Sequence, residues 1–315
     1  MHKEYFIDKE SLSANTKDVF FNNFDITWAE PSFSSPDIPD WKITDNKIFT
    51  KLPIEKIKDE QDDGSIVYKY NNDFFRCDDF ITNHNGLHIL FAGCSQTEGV
   101  GGNIEDVWSN MLFNKIKKNN NTDGFYSIAR AGYGWQKIIS NCLIYIKKYG
   151  TPEYLFILLP NVGRMYEWDS DYRTWVYKQK YAEIFTESLK EKNEISFSEK
   201  DYMKSIIDFK NTWNLFEQFC EANKIKMLWS TWDELDHQNY KIIDSTTFDI
   251  NKIGISKNYI DIADKDKMEL YFMEYSKHNK IKKDDFSRRD DHFGTLYNRY
   301  WADCFYKEIK RRWEI

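Results

Sequence analysis

The sequence predicts an α/β protein: a three-layer α/β/α sandwich whose helices cover both faces of a mostly parallel sheet, preceded by an N-terminal extension. From residue 86 onward, short apolar runs alternate with segments whose apolar residues recur at helical spacing. This alternation is typical of parallel strands joined by helical crossovers. Before residue 86 the alternation is missing, and four of the six prolines of the chain occur there, which favours loops and extended segments. We therefore divide the chain into an N-terminal accessory segment, residues 1–85, and a domain, residues 86–315.

Buried strands are predicted where an apolar run stops at a glycine, a proline or a polar turn. In the domain these runs are residues 87–92, 125–129, 154–159 and 225–229, and the extension adds a strand at 65–70. Helices are predicted where apolar residues recur at intervals of three and four, at residues 106–117, 135–148, 203–220, 264–278 and 297–309. Residues 161–200 are polar and aromatic, and we interpret them as a long insertion with helical pieces that forms a lid or a substrate wall.

The composition argues against several classes of protein. Hydrophobic residues make up 41% and aromatic residues 17% of the chain, which is enough for a folded core. The net charge of −7 argues against a nucleic-acid partner, because such proteins normally carry a basic face. No apolar run approaches the ~20 residues that span a bilayer. The first ten residues lack the apolar segment of a secretory signal, so we expect a cytoplasmic protein.

The cysteines and histidines do not indicate a metal or a cofactor. Five cysteines are scattered without a CxxC pair, which favours a reducing compartment over a disulfide framework or a zinc site. His84 and His88 flank the first strand of the domain, but the geometry of an extended strand would keep their side chains apart. We therefore predict no metal site and no cofactor.

A candidate nucleophile stands at the end of the first domain strand. The apolar run at 87–92 stops at Gly93, and Cys94 and Ser95 follow. Open α/β sheets place their ligand sites outside the carboxyl ends of the strands, and a glycine at this point permits a sharp turn. The stretch Gly93-Cys94-Ser95 resembles the serine block of the SGNH (GDSL-type) hydrolases, in which Gly-Asp-Ser follows the first core strand. The resemblance implies that Ser95 is the nucleophile, and the alternative is an ordinary turn serine or helix N-cap.

Two further blocks of this family have partial counterparts at the next two strand ends. Residues 127–134, SIARAGYG, are similar to the glycine block, which implies that the backbone N–H of Gly132 binds the developing oxyanion. Gly134 takes this role if the register slips by two residues. Asn161, which follows the apolar run at 154–159, looks like the asparagine that donates its side-chain N–H. With the backbone N–H of Ser95, these groups would form an oxyanion hole.

The fourth block lies just before the predicted C-terminal helix. His292 stands where SGNH hydrolases carry the histidine of Asp-x-x-His, and the resemblance implies that it is the general base. Arg289 occupies the position of the family's aspartate, and Asp290 and Asp291 follow it. Either Asp290 orients His292, or a backbone carbonyl sets its tautomer and the enzyme works as a Ser–His dyad.

Together the four blocks cover residues 86–315 in the family's order. The resemblance implies a flavodoxin-like sheet of about five parallel strands. It also implies an esterase that cleaves small acyl esters, and acetylated carbohydrates are our preferred substrate. Two alternatives stay open: an O-acyltransferase that uses the same site, and a non-catalytic binding or structural protein, for example a component of a virus particle. The accessory segment, residues 1–85, is interpreted as a candidate arm for a protein partner.

Overall fold

The structure is a computed structural model that describes residues 57–58, 67–161, 164–169, 174–179, 199–232, 256–262, 265–280 and 292–315. Its strands are β1 (Ile57–Lys58), β2 (Val67–Tyr68), β3 (Ile89–Gly93), β4 (Tyr126–Ser127), β5 (Tyr154–Leu159), β6 (Arg164–Asp169), β7 (Thr174–Gln179) and β8 (Lys226–Thr231). Its α-helices are α1 (Ser95–Glu98), α2 (Trp108–Lys117), α3 (Trp135–Tyr149), α4 (Glu199–Ala222), α5 (Lys265–His278) and α6 (Thr295–Trp313).

The main sheet joins four strands of the described chain in the order β4-β3-β5-β8, and every pairing in it is parallel. Tyr259 forms a parallel bridge with Trp229 of the outermost strand, β8. This order, in which the first strand lies between the second and the third, is the order of flavodoxin-like sheets. The predicted fold class is therefore confirmed. Because the strands are parallel, the carboxyl ends of β3, β4, β5 and β8 all lie at one edge of the sheet.

Alternate residues of the central strands contribute to two hydrophobic clusters, one on each face of the sheet. Ala92 and Leu155 belong to the cluster that α3 and α4 cover, whereas Phe91 and Phe156 belong to the cluster that α2 and α6 cover. All residues of β3 and β5 are buried, as expected for strands with uninterrupted apolar sequences. The sheet is therefore the middle layer of a three-layer sandwich.

The insertion between β5 and α4 differs from its prediction. Where helical pieces were expected, β6 and β7 form an antiparallel pair. The physical reason is that aromatic residues recur at every second position in both strands, a period that suits extended structure. Directly opposed residues of an antiparallel pair share a face, so Tyr166, Tyr177, Trp168 and Trp175 lie on the same face of this hairpin. Residues 162–163, 170–173 and 180–198 of the insertion lie outside the described residues.

The described part of the N-terminal segment packs on the domain. β2 pairs antiparallel with β1, and Phe75 is buried within the cluster under α3 and α4. The division at residues 85 and 86 stays a prediction. Among the helices of the described residues, none combines the length and the apolar character needed to cross a membrane.

Candidate active site

Ser95 begins α1 immediately after the central strand β3. Ser95 is buried, and its hydroxyl lies 4.0 Å from the Cys94 sulfur. A Cβ atom on Gly93 would lie 2.1 Å from Thr97 Oγ1 and 2.7 Å from the carbonyl oxygen of Leu158 in the neighbouring strand. Only glycine permits this approach of the turn to β5. The helix ends after one turn, because Gly99 adopts a left-handed conformation and donates its N–H to the Ser95 carbonyl oxygen at 2.8 Å.

Residues of the N-terminal segment hold the loop that follows α1. Arg76 is buried, and its guanidinium donates to the carbonyl oxygens of Gly99 at 2.6 Å and Gly102 at 2.9 Å. The guanidinium lies 4.2 Å from the centre of the Tyr68 ring, and the Tyr68 hydroxyl accepts the backbone N–H of Gly101 at 2.8 Å. The sequence alone does not indicate these residues, because contacts between positions more than twenty residues apart leave no local pattern.

Glu98, the last residue of α1, connects the serine helix to the loop after β4. One carboxylate oxygen accepts the backbone N–H of Ala131 at 2.6 Å, and the other accepts the Tyr70 hydroxyl at 3.1 Å. Burial, followed by the charge of Glu98, raises the pKa of Tyr70 well above its usual value, so this hydroxyl stays a hydrogen-bond donor. No local sequence pattern indicates Glu98 either.

Gly132 and Asn161 lie at the carboxyl ends of the two strands that flank β3. Gly132 has a φ of +76°, in the left-handed region that favours glycine. Asn161 is buried two residues beyond the end of β5. The alternative glycine, Gly134, has a φ of −90° and is the N-cap residue of α3. The structure therefore brings Ser95, Gly132 and Asn161 to one edge of the sheet, and their catalytic roles stay predictions.

His292 precedes α6 in a loop that two neighbours anchor. The ring of Phe293 packs against Trp232, just beyond the end of β8, with centroids 5.9 Å apart. The fully buried Asn298 donates to the carbonyl oxygens of Phe293 at 3.1 Å and Gly294 at 2.9 Å. His292 thus also lies at the edge that carries Ser95. The predicted orienting residue, Asp290, lies outside the described residues.

A hydrogen-bond path joins the histidine loop to the serine helix. Asn298 accepts the backbone N–H of Trp108 at 3.0 Å with its side-chain oxygen, and the Trp108 indole donates to Thr97 Oγ1 at 3.1 Å. Thr97 lies two residues after Ser95 in α1. The packing of α2 between these two segments therefore fixes the position of the histidine loop relative to the nucleophile.

At the amino end of β3, the structure differs from one expectation. The rings of His84 and His88 are stacked, with centroids 3.5 Å apart, whereas strand geometry was expected to separate them. The chain bends at Gly86, whose N–H binds Asp123 at 2.6 Å, and this bend folds His84 back. His88 is buried and contacts the Tyr145 hydroxyl at 2.8 Å, and burial lowers its pKa to about 3. The described residues include no group of three or more His, Cys, Asp or Glu side chains suited to a metal.

In chemical terms, the sheet edge carries a serine hydroxyl, a histidine, a buried amide and the backbone of a left-handed glycine. These groups are the components of acyl transfer by a serine nucleophile. No family model matches the chain, and no curated protein sequence matches it significantly. A crystal structure of a member of the lipolytic protein G-D-S-L family from Veillonella parvula is similar, with 14% sequence identity and a TM-score of 0.36. That match covers 71% of this chain and 98% of the other.

Proposed function

We propose that this chain is a serine ester hydrolase whose nucleophile is Ser95. The observation that supports the proposal is the topology of the sheet: Ser95, Gly132 and Asn161 follow three neighbouring parallel strands. The loop of His292 contacts Trp232, just beyond the end of the fourth strand, through Phe293. In sheets of this type the carboxyl edge is where ligands bind. The order of the four residues along the chain supports the same conclusion through the resemblance to SGNH hydrolases.

The reaction proceeds through an acyl-enzyme. His292 removes the proton from the Ser95 hydroxyl as its oxygen attacks the acyl carbon. The ester C–O bond then breaks, and His292 returns the proton to the departing alcohol. Water, deprotonated by His292, attacks the acyl-enzyme, and the carboxylic acid leaves while Ser95 recovers its proton.

Three donors stabilise the negative oxygen of the two tetrahedral intermediates. They are the backbone N–H groups of Ser95 and Gly132 and the side-chain amide of Asn161. A positioned donor of this kind lowers the barrier by about 3 kcal/mol in enzymes that use serine nucleophiles. His292 needs an acceptor for its second ring nitrogen, and either Asp290 or a backbone carbonyl supplies it.

The substrate that we favour is an acetyl ester on a carbohydrate. The hairpin of β6 and β7 begins three residues after Asn161, so it borders the proposed oxyanion hole. The cross-strand pairs Tyr166–Tyr177 and Trp168–Trp175 share one of its faces. Sugar rings pack their C–H faces on aromatic rings, and four aromatic residues on one small face suit such a contact.

The test is hydrolysis of acetylated oligosaccharides, followed as released acetate, by the native chain and by its Ser95→Ala and His292→Ala variants. We expect both variants to lose at least about 1000-fold in kcat. Activity that persists in the Ser95→Ala variant would refute the proposal. An acyltransferase would instead move the acetyl group to an added sugar acceptor, which mass spectrometry of the products detects.

A non-catalytic role is the second candidate, and specific positions favour it. Cys94, Leu159, Val162 and Arg289 stand where the SGNH pattern has Asp, Gly, Asp and Asp. A binding or structural protein would retain the fold without a reactive serine. The native chain would then show neither acetate release nor acetyl transfer, although it is folded.

A further inference from the structure

A single buried carboxylate joins the helix of the proposed nucleophile to the loop of the proposed oxyanion glycine. Glu98 lies three residues after Ser95 in α1 and accepts the backbone N–H of Ala131, directly before Gly132, at 2.6 Å. We propose that Glu98 is a positioning residue that fixes the Gly132 N–H relative to the Ser95 hydroxyl, and that Tyr70 holds the carboxylate in place. This inference rests on the function proposed above.

Two hydrogen bonds order the loop after β4: the Ala131 N–H binds Glu98, and the Tyr133 N–H donates to the Arg130 carbonyl oxygen at 3.2 Å. β4 ends at Ser127, and α3 does not begin until Trp135, so neither a strand nor a helix determines the peptide orientations at 131 and 132. Glycine in the left-handed region has wide conformational freedom. A hydrogen bond to the Ala131 N–H restricts the peptide plane immediately before the one that carries the Gly132 N–H. The direction of that proposed oxyanion donor is thereby restricted too.

The chemistry of Glu98 suits a rigid connection better than a neutral side chain would. Hydrogen bonds to an ionised acceptor are shorter and roughly twice as strong as neutral ones, and the low dielectric of a buried site strengthens them further. Glu98 is 5% exposed, so its charge needs donors. Ala131 and Tyr70 provide them, and Arg76 binds the backbone carbonyl oxygen of Glu98 itself at 3.3 Å.

Tyr70 extends the connection to the N-terminal segment. Its hydroxyl donates to Glu98 at 3.1 Å, and the guanidinium of Arg130 lies 5.4 Å from the centre of its ring. Tyr70 therefore contacts a residue of the serine helix and a residue of the glycine loop. Because Tyr70 precedes the predicted domain boundary at residues 85 and 86, part of the predicted accessory segment contributes to the geometry of the site.

The test compares two substitutions of Glu98, one that removes the side-chain hydrogen-bond acceptor and one that retains it. Glu98→Met keeps a similar volume but removes the acceptor, whereas Glu98→Gln keeps an oxygen that accepts the Ala131 N–H. Glu105→Gln is the matched control, because Glu105 is an exposed carboxylate seven residues further along the chain. Each protein is assayed for kcat and KM with an aryl acetate and for its rate of labelling by a fluorophosphonate. Urea unfolding reports whether each variant is folded.

We expect Glu98→Met to lower kcat and the labelling rate by about 100-fold, the effect of misplacing a reacting group by about 1 Å. KM should change less than about threefold, because the oxyanion donor acts mainly in the transition state. The Gln variant should recover activity to within about tenfold of native. Glu105→Gln should match the native protein.

An unchanged kcat in a folded Glu98→Met variant would overturn this inference and leave the proposed function intact. Absence of turnover and labelling in the native chain would instead refute the proposed function, and the inference with it. If Glu98→Met does not fold, Tyr70→Phe decides the question, because it removes only the hydroxyl that holds Glu98. We expect this variant to lose about three- to tenfold in kcat at constant KM, and an unchanged kcat would overturn the inference.

Discussion

Replacing Asn298 by aspartate is a sharp test of how the histidine loop is held. The side chain of Asn298 is fully buried and forms three hydrogen bonds. Its oxygen accepts the Trp108 N–H at 3.0 Å, and its amide donates to the carbonyl oxygens of Phe293 at 3.1 Å and Gly294 at 2.9 Å. Asn298→Asp is nearly isosteric, so it creates no cavity. It keeps the acceptor for Trp108 and removes both donors.

The expected destabilisation follows from these contacts. Each lost donation costs about 1–1.5 kcal/mol, and a carboxylate facing two carbonyl oxygens adds a repulsive term. We expect the free energy of unfolding to fall by about 3 kcal/mol at pH 7. Burial raises the pKa of the introduced carboxyl above its unfolded value of about 3.9. The deficit is therefore complete above the folded pKa and shrinks as the pH falls below it, because a protonated carboxyl donates again.

Urea unfolding of the variant and the native protein at pH 7 and at pH 4.5 measures this effect. Asn114→Asp is the matched control, because Asn114 is an exposed residue of α2 whose side-chain amide donates to Asn110 in the preceding helical turn. We expect this control to change stability by less than about 0.5 kcal/mol. We also expect Asn298→Asp to reduce kcat, since the loop that carries His292 loses its anchor. A deficit below about 0.5 kcal/mol, or one of equal size at both pH values, would refute the reasoning.

Three further predictions follow from other parts of the chain. Gly93→Ala places a methyl group 2.7 Å from the Leu158 carbonyl oxygen; we expect a loss of about 2–3 kcal/mol of stability in urea unfolding and weak fluorophosphonate labelling. Burial lowers the pKa of His88 to about 3, so below about pH 6.5 the unfolded state binds a proton that the folded state does not bind. The free energy of unfolding of the native protein should therefore decrease by up to about 1.4 kcal/mol for each unit by which the pH is lowered from about 6.5 to about 3, and His88→Leu should reduce this slope. Trp168→Ala and Trp175→Ala should raise KM for acetylated oligosaccharides about tenfold and leave KM for an aryl acetate unchanged.

Each of these predictions has a clear contradictory result. If Gly93→Ala had the same free energy of unfolding and the same fluorophosphonate labelling as the native protein, the close approach of the turn to β5 would be unimportant. Parallel pH profiles for the native protein and His88→Leu would show that this histidine does not titrate differently in the two states. Equal increases of KM for sugar esters and for the aryl ester would exclude a sugar-stacking role for the hairpin.

Much of the fold was predictable because its signals are local. The strand at 154–159 was predicted with its observed bounds, since an uninterrupted apolar run that stops at Pro160 has few other interpretations. The helix at 135–148 differs from α3 by one residue, because its apolar positions recur at helical spacing and Gly150 follows. The hairpin was not predicted, because the two-residue spacing of its aromatic residues is short and lies inside a polar stretch whose composition is typical of a loop.

The candidate site was predictable only in part. Ser95, Gly132, Asn161 and His292 each follow or precede an element with a clear pattern, so sequence order was enough to nominate them. The supporting residues could not be found in this way. Glu98 contacts Tyr70 and Ala131, which are 28 and 33 positions away, and nothing in the local sequence of either reports the contact. The cytoplasmic location and the partner arm at residues 1–85 stay predictions.

The central claim is that Ser95 is an activated nucleophile, and intact-mass labelling tests it most directly. The native chain and its Ser95→Ala variant are incubated with a fluorophosphonate probe, and each is weighed by mass spectrometry. We predict one adduct on the native chain and none on the variant. A folded native chain that stays unlabelled, or a Ser95→Ala variant that is labelled equally, would contradict the account.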